Sequence, residues 1–400
     1  MTKIPKLCNS KSCTQCGACI EVCKQHAINF SLPDVCGDKQ PVIDTTACVG
    51  CGLCVRICPQ LKMHKKLKEL IYSKEYYAGW SKNFRLKGSS GGIFGELASY
   101  VLRNNGYVCG ASFDAEGHLK HQIINDISLL KVLLGSKYLT SEVHCVFPKI
   151  KHLLKEGFVV LFVGTSCQVA GLKNYLLNDY ANLITIDLVC FGAPTQEVYQ
   201  SFICKIPTRK KIIGYLFRRL DSNRPDFRVK LLDGTTKRLS NKYYTYIDGF
   251  VRGLSMKKAC YNCKYKNMDR VGDFTLGDYH TISKEKPFLR KRISKGVSLI
   301  IINTEKGNKF FNLVRDRFEL FPKTKTLALA TNISLREQLK EDVRRDYFCR
   351  LMCDKKVSLY DINKIFNFQG LKFSFIRFNS TFIKLLDFKK DICQIFKSLK

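Results

Sequence analysis

Eight cysteines near the start of the chain are spaced in two copies of one pattern. Both copies read C-x2-C-x2-C-x3-C, and a constant offset separates them. The first copy comprises Cys13, Cys16, Cys19 and Cys23, and the second comprises Cys48, Cys51, Cys54 and Cys58. A cubane iron–sulfur cluster needs four converging thiolates, and in two-cluster ferredoxins the fourth ligand of each cluster comes from the other copy. We therefore expect two 4Fe-4S clusters, in which Cys58 completes the first copy and Cys23 completes the second.

Two other uses of clustered cysteines fit this pattern less well. Structural zinc sites use C-x2-C pairs separated by longer gaps. A disulfide framework is typical of short secreted chains, whereas this chain has 400 residues and does not begin like a signal peptide. We expect a cytoplasmic chain whose cysteines are cluster ligands or reduced thiols. The reduced thiols would be Cys8, Cys36, Cys109, Cys145, Cys204, Cys349, Cys353 and Cys393.

A second group of cysteines lies in the middle of the chain. Cys260 and Cys263 form a C-x2-C pair, which suggests a metal or redox site but is two ligands short of one. Cys167 follows a predicted buried strand and begins a predicted helix, and Cys190 ends the next predicted strand. Both would complete the site if the fold brings them together. The alternative for Cys167 and Cys190 is that each is a small buried apolar residue.

Two loops have the composition of ligand-binding turns. The first contains Ser89, Ser90, Gly91 and Gly92 at the start of a helical stretch, where hydroxyls, free N–H groups and the helix dipole suit a phosphate. An ordinary serine N-cap followed by flexible glycines is the simpler interpretation of those residues. The second loop comprises Gly164, Thr165, Ser166, Cys167 and Gln168. It lies at the carboxyl end of a strand, where ligands bind in open α/β sheets.

The elements that must position these residues indicate a mixed fold. Apolar runs at 158–163 and 183–189 flank a helical stretch, which predicts a parallel βαβ unit. Residues 214–250 alternate in polarity and predict antiparallel strands with a hairpin turn at Asp233-Gly234. Residues 297–302 predict a further strand. Beyond about residue 330 we expect a basic, helical tail whose end is an amphipathic helix, which would dock on the core or else bind a membrane surface or partner.

The composition restricts the partners of the chain. It is 45% hydrophobic and has a formal net charge of +33, but no apolar run approaches the ~20 residues that a membrane span needs. Nucleic acid, an anionic membrane surface, and an acidic partner or substrate all suit a basic protein. The basic residues occur in scattered pairs and triplets, without a recognised nucleic-acid module, which favours a solvated lysine-rich face. We expect no nucleic-acid partner and no transmembrane segment, and we leave peripheral membrane contact open.

Several motifs in order resemble the coenzyme F-420 hydrogenase/dehydrogenase beta-subunit family. After the bacterial-type dicluster ferredoxin head come AGWS, GSSGGIF, GSKYLTSE, FVGTSCQVAGLKNYL, DLVCFGAP and CYNCKYKNMDRVGDFTLGDYH. The resemblance covers about residues 8–330. It implies an iron–sulfur flavoprotein with FAD bound by the α/β core and, in some members, a third 4Fe-4S cluster there. The flavin would lie beside the two loops described above, through Ser89, Ser90, Gly91, Gly92, Gly164, Thr165, Ser166 and Gln168. Cys260 and Cys263 would hold the core cluster, with Cys167 and Cys190 as candidates for the other two ligands.

Two positions depart from the family pattern. Members often have histidine where this chain has Phe191, and Phe-Trp-Gly where it has Tyr279-His280. We therefore assign no catalytic residue; His280 is a candidate acid or base, although a polar surface role is the simpler interpretation.

The resulting prediction is an α+β protein with three parts. A small dicluster ferredoxin-like module precedes an α/β flavin-binding core and a helical basic C-terminal tail. The predicted boundaries are 1–62 for the ferredoxin-like domain, 63–76 for a linker, 77–155 and 156–330 for the two parts of the beta-subunit-like region, and 331–400 for the tail.

The predicted function is an oxidoreductase that passes electrons between 4Fe-4S clusters and a flavin. Its partners would be a redox protein or ferredoxin and a small-molecule or coenzyme substrate, which we expect to be anionic. The alternatives are an electron-relay subunit of a larger complex, a redox enzyme of polysaccharide or envelope biosynthesis, and a nucleic-acid-binding iron–sulfur protein.

Overall fold

The computed structural model describes residues 4–61, 72–218, 225–240, 243–285 and 295–368. In these ranges the strands are β1 (Ile28–Phe30), β2 (Pro41–Ile43), β3 (Glu75–Ser81), β4 (Tyr107–Phe113), β5 (Leu119–Ile124), β6 (Val160–Thr165), β7 (Leu183–Leu188), β8 (Ile212–Arg218), β9 (Pro225–Leu231), β10 (Thr236–Arg238), β11 (Phe274–Asp278), β12 (Ser298–Ile302) and β13 (Phe318–Lys323). The α-helices are α1 (Ala18–Glu21), α2 (Leu53–Arg56), α3 (Ile93–Arg103), α4 (Leu130–Leu133), α5 (Phe147–Lys155), α6 (Ser166–Leu176), α7 (Gln196–Cys204), α8 (Thr245–Val251), α9 (Lys258–Tyr261), α10 (Ile282–Glu285), α11 (Glu305–Asn312), α12 (Lys325–Thr331), α13 (Arg345–Cys353) and α14 (Leu359–Ile365).

The N-terminal module repeats one small unit twice. β1 pairs antiparallel with β2, and the helices α1 and α2 each follow a cysteine loop. Gly17 precedes α1 with φ 68°, and Gly52 precedes α2 with φ 71°. Glycine suits both positions because a Cβ atom disfavours this left-handed conformation. The chain therefore enters both short helices through the same backbone turn.

The core is built on an eight-stranded mixed sheet. Its strand order is β13-β3-β12-β11-β7-β6-β4-β5. The four strands β11, β7, β6 and β4 are parallel neighbours, and antiparallel strands extend the sheet on both sides. The predicted βαβ unit is confirmed as β6, α6 and β7, and the predicted strand at 297–302 is confirmed as β12. The sheet contains strands from both sides of the predicted boundary at residue 155.

A smaller antiparallel sheet, of order β10-β9-β8, packs beside the core. The predicted hairpin is confirmed, since Asp233 accepts hydrogen bonds from Thr235 between β9 and β10. The prediction of strands up to residue 250 is wrong, because α8 occupies Thr245–Val251. Tyr246, Ile247 and Phe250 are buried on this helix, so packing decides its conformation over the β propensity of aromatic and branched residues.

The N-terminal module packs directly on the core. Asn174 of α6 donates a hydrogen bond to the carbonyl of Ile57 at 3.0 Å, and Lys264 donates to the carbonyl of Gln60 at 2.6 Å. Both contacts reach the end of the second cysteine copy, where Cys58 lies. The module is therefore fixed to α6, the helix whose first turn contains Cys167.

The C-terminal helix α13 also holds the module. Arg345 is buried, forms an ion pair with Asp38, and donates to the carbonyl of Met256 at 2.8 Å. Cys36 forms a disulfide with Cys349. The prediction that these two cysteines are reduced thiols is thus wrong. Their sequence separation of 313 residues explains why spacing does not reveal the pair.

Some predictions fall outside the described residues. These include most of the 63–76 linker and the end of the 331–400 tail, with its predicted amphipathic helix and Cys393. Among the described helices, none combines the length and apolar character needed to cross a membrane.

Candidate iron–sulfur and cofactor sites

The first predicted quartet of thiols surrounds one cavity. Cys13, Cys16, Cys19 and Cys58 all line it. Three of them come from the loop and helix of the first copy, and Cys58 comes from the end of the second. The structure thus brings together the ligand set that the repeat predicts for the first cluster, including the ligand from the other copy.

The residues around this cavity fit a 4Fe-4S cluster. Thr14 lines it too, and its buried hydroxyl has no hydrogen-bond partner among the described residues. A hydroxyl in that position can donate to a cluster sulfur, and such hydrogen bonds are one of the levers that set cluster potential. Burial raises the pKa of Cys13 to about 11 and that of Cys16 to about 12. At neutral pH these thiols are protonated before metal binds, so cluster binding releases protons.

The second predicted quartet lies nearer the surface. Cys54 is buried at the start of α2, whereas Cys51 is exposed. Burial raises the pKa of Cys54, and the charges of Cys51 and Cys23 add to this effect. Cys23, from the first copy, therefore lies within electrostatic range of Cys54. Cys48 lies on the loop that leads to the same helix.

Among the described residues, no three cysteine, histidine, aspartate or glutamate side chains are grouped as ligands of one metal ion.

The four core cysteines also converge. Cys167 lies in the first turn of α6 after β6, Cys190 follows the neighbouring strand β7, and Cys260 and Cys263 lie in and after α9. Burial raises the pKa of Cys190 to about 12, and the charges of Cys260, Cys167 and Cys263 raise it further. Burial likewise raises the pKa of Cys263 to about 11, with Cys167 and Cys260 contributing. All four thiols are therefore within electrostatic range of one another, as a shared site requires.

A buried arginine ties the core quartet to the sheet. Arg270 donates to Asp187 of β7 at 2.8 Å, to Ser166 at 2.6 Å and to the carbonyl of Tyr265 at 2.8 Å. Its side chain and that of Asp187 are only 2% and 0% exposed. Ser166 precedes Cys167, and Tyr265 follows Cys263 by two positions. Arg270 therefore positions both halves of the quartet, a role that the sequence pattern did not predict.

The first quartet and the core quartet are neighbours. A Cβ atom on Gly171 would lie 2.8 Å from Cβ of Cys16, so α6 packs on the first quartet with no side chain between them. The charges of Cys167, Cys16, Cys263 and Cys58 all raise the pKa of Tyr265, in addition to the larger effect of burial. Tyr265 therefore lies among thiols of both quartets.

A buried lysine lies in the same region. The Lys257 ammonium donates to the carbonyl of Thr14 at 2.8 Å. Burial alone would lower its pKa, but the charges of Cys260, Cys167 and Cys13 outweigh burial and raise it. Lys257 thus supplies a positive charge between the two quartets.

The Ser89–Gly92 turn is held mainly by its own surroundings. Ser89 accepts hydrogen bonds from the backbone and hydroxyl of Ser136, at 2.6 and 2.8 Å. The Gly91 N–H donates to the Ser298 hydroxyl at 2.9 Å. The Ser90 hydroxyl donates to the backbone carbonyl of the residue just before Ser298, at the start of β12. A Cβ atom on Gly91 or Gly92 would overlap backbone oxygen atoms of the protein itself. Close packing within the chain therefore accounts for both glycines.

The loop at the end of β6 is likewise engaged. Thr165 and Gln168 form a capping box at the start of α6, with Gln168 Oε1 accepting from the Thr165 N–H at 2.9 Å. The Gln168 amide also donates to Ser141, whose hydroxyl contacts His121. Gly164 packs against Gln168. Segment 135–142, the GSKYLTSE motif, thus contacts both predicted flavin loops.

A charged group lies beside the Ser89–Gly92 turn. Arg218 pairs with Asp278 through two hydrogen bonds, at 3.0 and 2.7 Å, and also donates to the Tyr138 hydroxyl. Burial opposes the charge on Asp278, but Arg218 outweighs it, and the pKa of Asp278 is lowered. Part of His280 is exposed to solvent. The protein atoms packed around it still remove water from the imidazole, which lowers its pKa, although the charge of Asp278 opposes this effect.

Lys137 adds a further polar group to this region. Its ammonium donates to the carbonyls of Leu133 and Leu134, each at 2.9 Å. Burial lowers its pKa to about 7. Lys137, Tyr138, Arg218 and Asp278 were missed as candidates. The GSKYLTSE and LGD motifs contain three of them, but no spacing rule distinguishes them from ordinary surface residues.

Comparison with known protein families confirms the resemblance over two segments. Residues 12–61 match the 4Fe-4S dicluster domain. Residues 159–326 match the C-terminal domain of the coenzyme F420 hydrogenase/dehydrogenase beta subunit. The chain thus carries an N-terminal segment that matches a 4Fe-4S dicluster domain, followed by a segment that matches the C-terminal domain of this beta subunit.

One curated protein and one solved structure are similar to this chain over longer stretches. Coenzyme F420-dependent sulfite reductase of Methanocaldococcus jannaschii is 25% identical over 320 residues, which is 78% of this chain and 47% of that protein. The chain therefore spans about half the length of that relative. A chain of the F420-reducing [NiFe] hydrogenase complex from Methanosarcina barkeri aligns with a TM-score of 0.44 and 16% identity, over 74% of this chain and 93% of that one.

Proposed function

We propose that this protein is an iron–sulfur flavoprotein oxidoreductase that passes electrons between 4Fe-4S clusters and a flavin, and so oxidises or reduces a coenzyme or small anionic substrate. The observation that carries the proposal is the contact between the first quartet and the core quartet. Cys16 packs on α6 at Gly171, about one helical turn after Cys167, and Tyr265 lies among thiols of both. Redox groups held at these two sites would be neighbours in one relay.

The cofactors supply the redox chemistry: the clusters transfer single electrons, and a bound flavin exchanges two of them for a hydride. The chain binds and orients them. Twelve thiols form three quartets, with the core set being Cys167, Cys190, Cys260 and Cys263. Arg270 fixes the position of the core set, and Lys257 offsets negative charge between it and the first quartet.

The flavin would lie beside the turn of Ser89, Ser90, Gly91 and Gly92 and the loop of Gly164, Thr165, Ser166 and Gln168. The neighbouring Lys137, Tyr138 and Arg218 fit this proposal, because FAD presents a phosphate and an aromatic ring. The Ser89–Gly92 and Gly164–Gln168 segments support the site mainly by holding segment 135–142, which carries Lys137 and Tyr138.

The substrate and partner are proposed from charge and exposure. The net charge of +33 favours approach of anions. The exposed Cys51 marks the second quartet as the side at which a ferredoxin or other redox protein would dock. The relative from Methanocaldococcus jannaschii is named for coenzyme F420, and we propose that a small anionic coenzyme or metabolite is the substrate class here.

A second candidate function is an electron-relay subunit. It is favoured by the exposed Cys51 of the second quartet, at which a partner protein could exchange electrons. In that case the isolated protein would reduce small acceptors only when the partner is present.

The test is anaerobic purification followed by iron, acid-labile sulfide and flavin analysis. The proposal expects about twelve irons and about one flavin per chain, since each of three cubanes holds four irons. About eight irons without flavin would reject the flavoprotein enzyme and leave the relay.

A matched pair of variants tests the core quartet. Cys260→Ala should lose about four irons while the N-terminal module keeps about eight. Cys204→Ala, at an exposed cysteine outside all three quartets, should lose none. Equal iron content in the two variants would reject the core ligand set.

A further inference from the structure

We propose that Cys8 is a fifth thiol of the first cluster site and can replace Cys58 as its ligand. The spacing pattern excludes Cys8, which precedes the first copy, and we expected it to be an ordinary reduced thiol. The inference rests on the proposed ligation of the first cluster and adds a residue to it.

The first observation is the distance between the two sulfurs. Cys8 Sγ lies 3.5 Å from Cys58 Sγ. Cys8 is 6% exposed, so its thiol is enclosed by protein. A sulfur that is nearly in contact with a cluster ligand needs only a small displacement to reach the same iron.

The second observation is the shared cavity. Cys8 lines the cavity that is lined by Cys13, Cys16, Cys19 and Cys58. Five thiols therefore surround a space at which a cubane uses four. Cys8 is part of the cluster site and not an isolated cysteine.

The local backbone explains why Cys8 reaches this site. A turn follows it, in which the N–H groups of Ser12 and Cys13 donate to the carbonyl of Asn9, at 3.1 and 2.8 Å. The Ser10 N–H also donates to the Gln40 side chain at 3.1 Å, which holds this turn against the module. The turn places Cys8 and Cys13 on the same side of the loop.

The second copy lacks this feature. The residue that corresponds to Cys8, five positions before the first cysteine of its copy, is Ile43. An isoleucine side chain has no atom that can bind iron. The internal repeat thus supplies a built-in comparison, in which Cys58 has a neighbouring thiol in its own site and the symmetric ligand Cys23 has an apolar residue at the matching position.

The exchange is balanced without any redox partner. The bond from Cys58 sulfur to iron breaks as a bond from Cys8 sulfur forms, and the proton of the Cys8 thiol passes to the Cys58 thiolate. Iron, sulfide, charge and electron count stay the same. The same geometry lets the Cys8 thiol donate a hydrogen bond to the Cys58 sulfur when Cys58 is the ligand.

The experiment compares four variants of the full chain, purified anaerobically: Cys58→Ala, Cys8→Ala, the double variant, and Cys23→Ala as the matched control. Iron and acid-labile sulfide are measured per chain, and the reduced clusters are recorded by electron paramagnetic resonance. We expect both single variants at the first site to keep the wild-type iron content within about one iron. The double variant and Cys23→Ala should each lose about four irons.

Loss of as much iron in Cys58→Ala as in the double variant would overturn the inference. A Cys58→Ser variant gives an independent check that does not depend on counting. When Cys8 is the ligand, the first cluster of Cys58→Ser keeps the electron paramagnetic resonance spectrum of the all-thiolate wild-type cluster. A spectrum shifted by an oxygen ligand would overturn the inference. A wild-type chain without N-terminal clusters would instead reject the proposed function as well.

Discussion

The two copies of the cysteine pattern share one spacing but have opposite surroundings. The first quartet faces the core, where Gly171 of α6 packs on Cys16. In the second copy, Cys51 and the nearby Val49 are exposed. Spacing therefore decides what each copy binds, whereas the neighbours in the fold decide where each site can send electrons. The second site lies nearer the surface, and the first faces the core.

The largest expected effect comes from removing Arg270, which ties the core quartet to the sheet. Arg270→Met leaves the Asp187 carboxylate buried without its cation, which costs on the order of 3–5 kcal/mol. We expect chemical denaturation to show this loss in the free energy of unfolding. Iron analysis should show loss of the irons held by the core quartet.

The control for Arg270→Met is Lys309→Met. Lys309 pairs with Glu305 on the surface, with side chains 76% and 63% exposed, and its loss should change stability by about 0.5 kcal/mol or less. Equal effects of the two variants would contradict the role assigned to Arg270.

Much of this arrangement could be predicted from the sequence. The apolar runs at 158–163 and 183–189 identify β6 and β7, and the carboxyl ends of parallel strands meet at one edge of a sheet, which is why Cys167 and Cys190 could be paired before the structure was known. The constant offset between the cysteine copies identified both N-terminal quartets for a similar reason. Local spacing was sufficient in these cases.

The remaining features depend on contacts that spacing does not encode. Arg270 is one of 67 lysines and arginines, and its burial against Asp187 follows only from the fold. Cys36 and Cys349 are joined across 313 residues. Residues 245–250 lie within the predicted strand region but belong to α8, because packing of Tyr246 and Phe250 outweighs local propensity.

Acid should lower the folding stability of the core through His121. This histidine is buried, contacts the Val163 carbonyl at 2.9 Å and the Ser141 hydroxyl at 3.0 Å, and burial lowers its pKa from 6.5 to about 4. A base with a lowered pKa in the folded state contributes stability above pH 6.5 that is lost as the pH falls towards 4. The expected loss is about 3 kcal/mol.

Unfolding free energies measured between pH 7 and 4 test this prediction. His121→Gln should abolish most of the added acid sensitivity, whereas His152→Gln, at a side chain 72% exposed, should leave it intact. An unchanged pH profile in His121→Gln would contradict the assignment.

The two glycines that precede α1 and α2, Gly17 and Gly52, allow the surroundings to be compared at matched positions. Both have positive φ, so alanine costs each about 1 kcal/mol of backbone strain. A Cβ atom on Gly17 would also overlap the His144 side chain of the core, whereas on Gly52 it would meet no described atom within 4 Å. Gly17→Ala should therefore destabilise the protein by a further ~1–3 kcal/mol. Thermal or chemical unfolding of the two variants measures the difference, and equal losses would mean that the first copy is not packed on the core.

The smallest expected effect is on the potential of the first cluster. Lys257→Met removes a buried positive charge that lies near Cys13 and contacts Thr14, and loss of a cation disfavours the more negative, reduced state of a cluster. We expect its reduction potential to fall by on the order of 50 mV, equivalent to roughly 1 kcal/mol for one electron. The potential of the second cluster should change less, because that site faces solvent, which screens charge.

Lys258→Met is the control, since Lys258 pairs with Asp34 at 2.7 Å on the partly exposed side of the same segment. Redox titration followed by electron paramagnetic resonance separates the two clusters, and an equal shift of both would show that the two copies do not differ in their electrostatic environment.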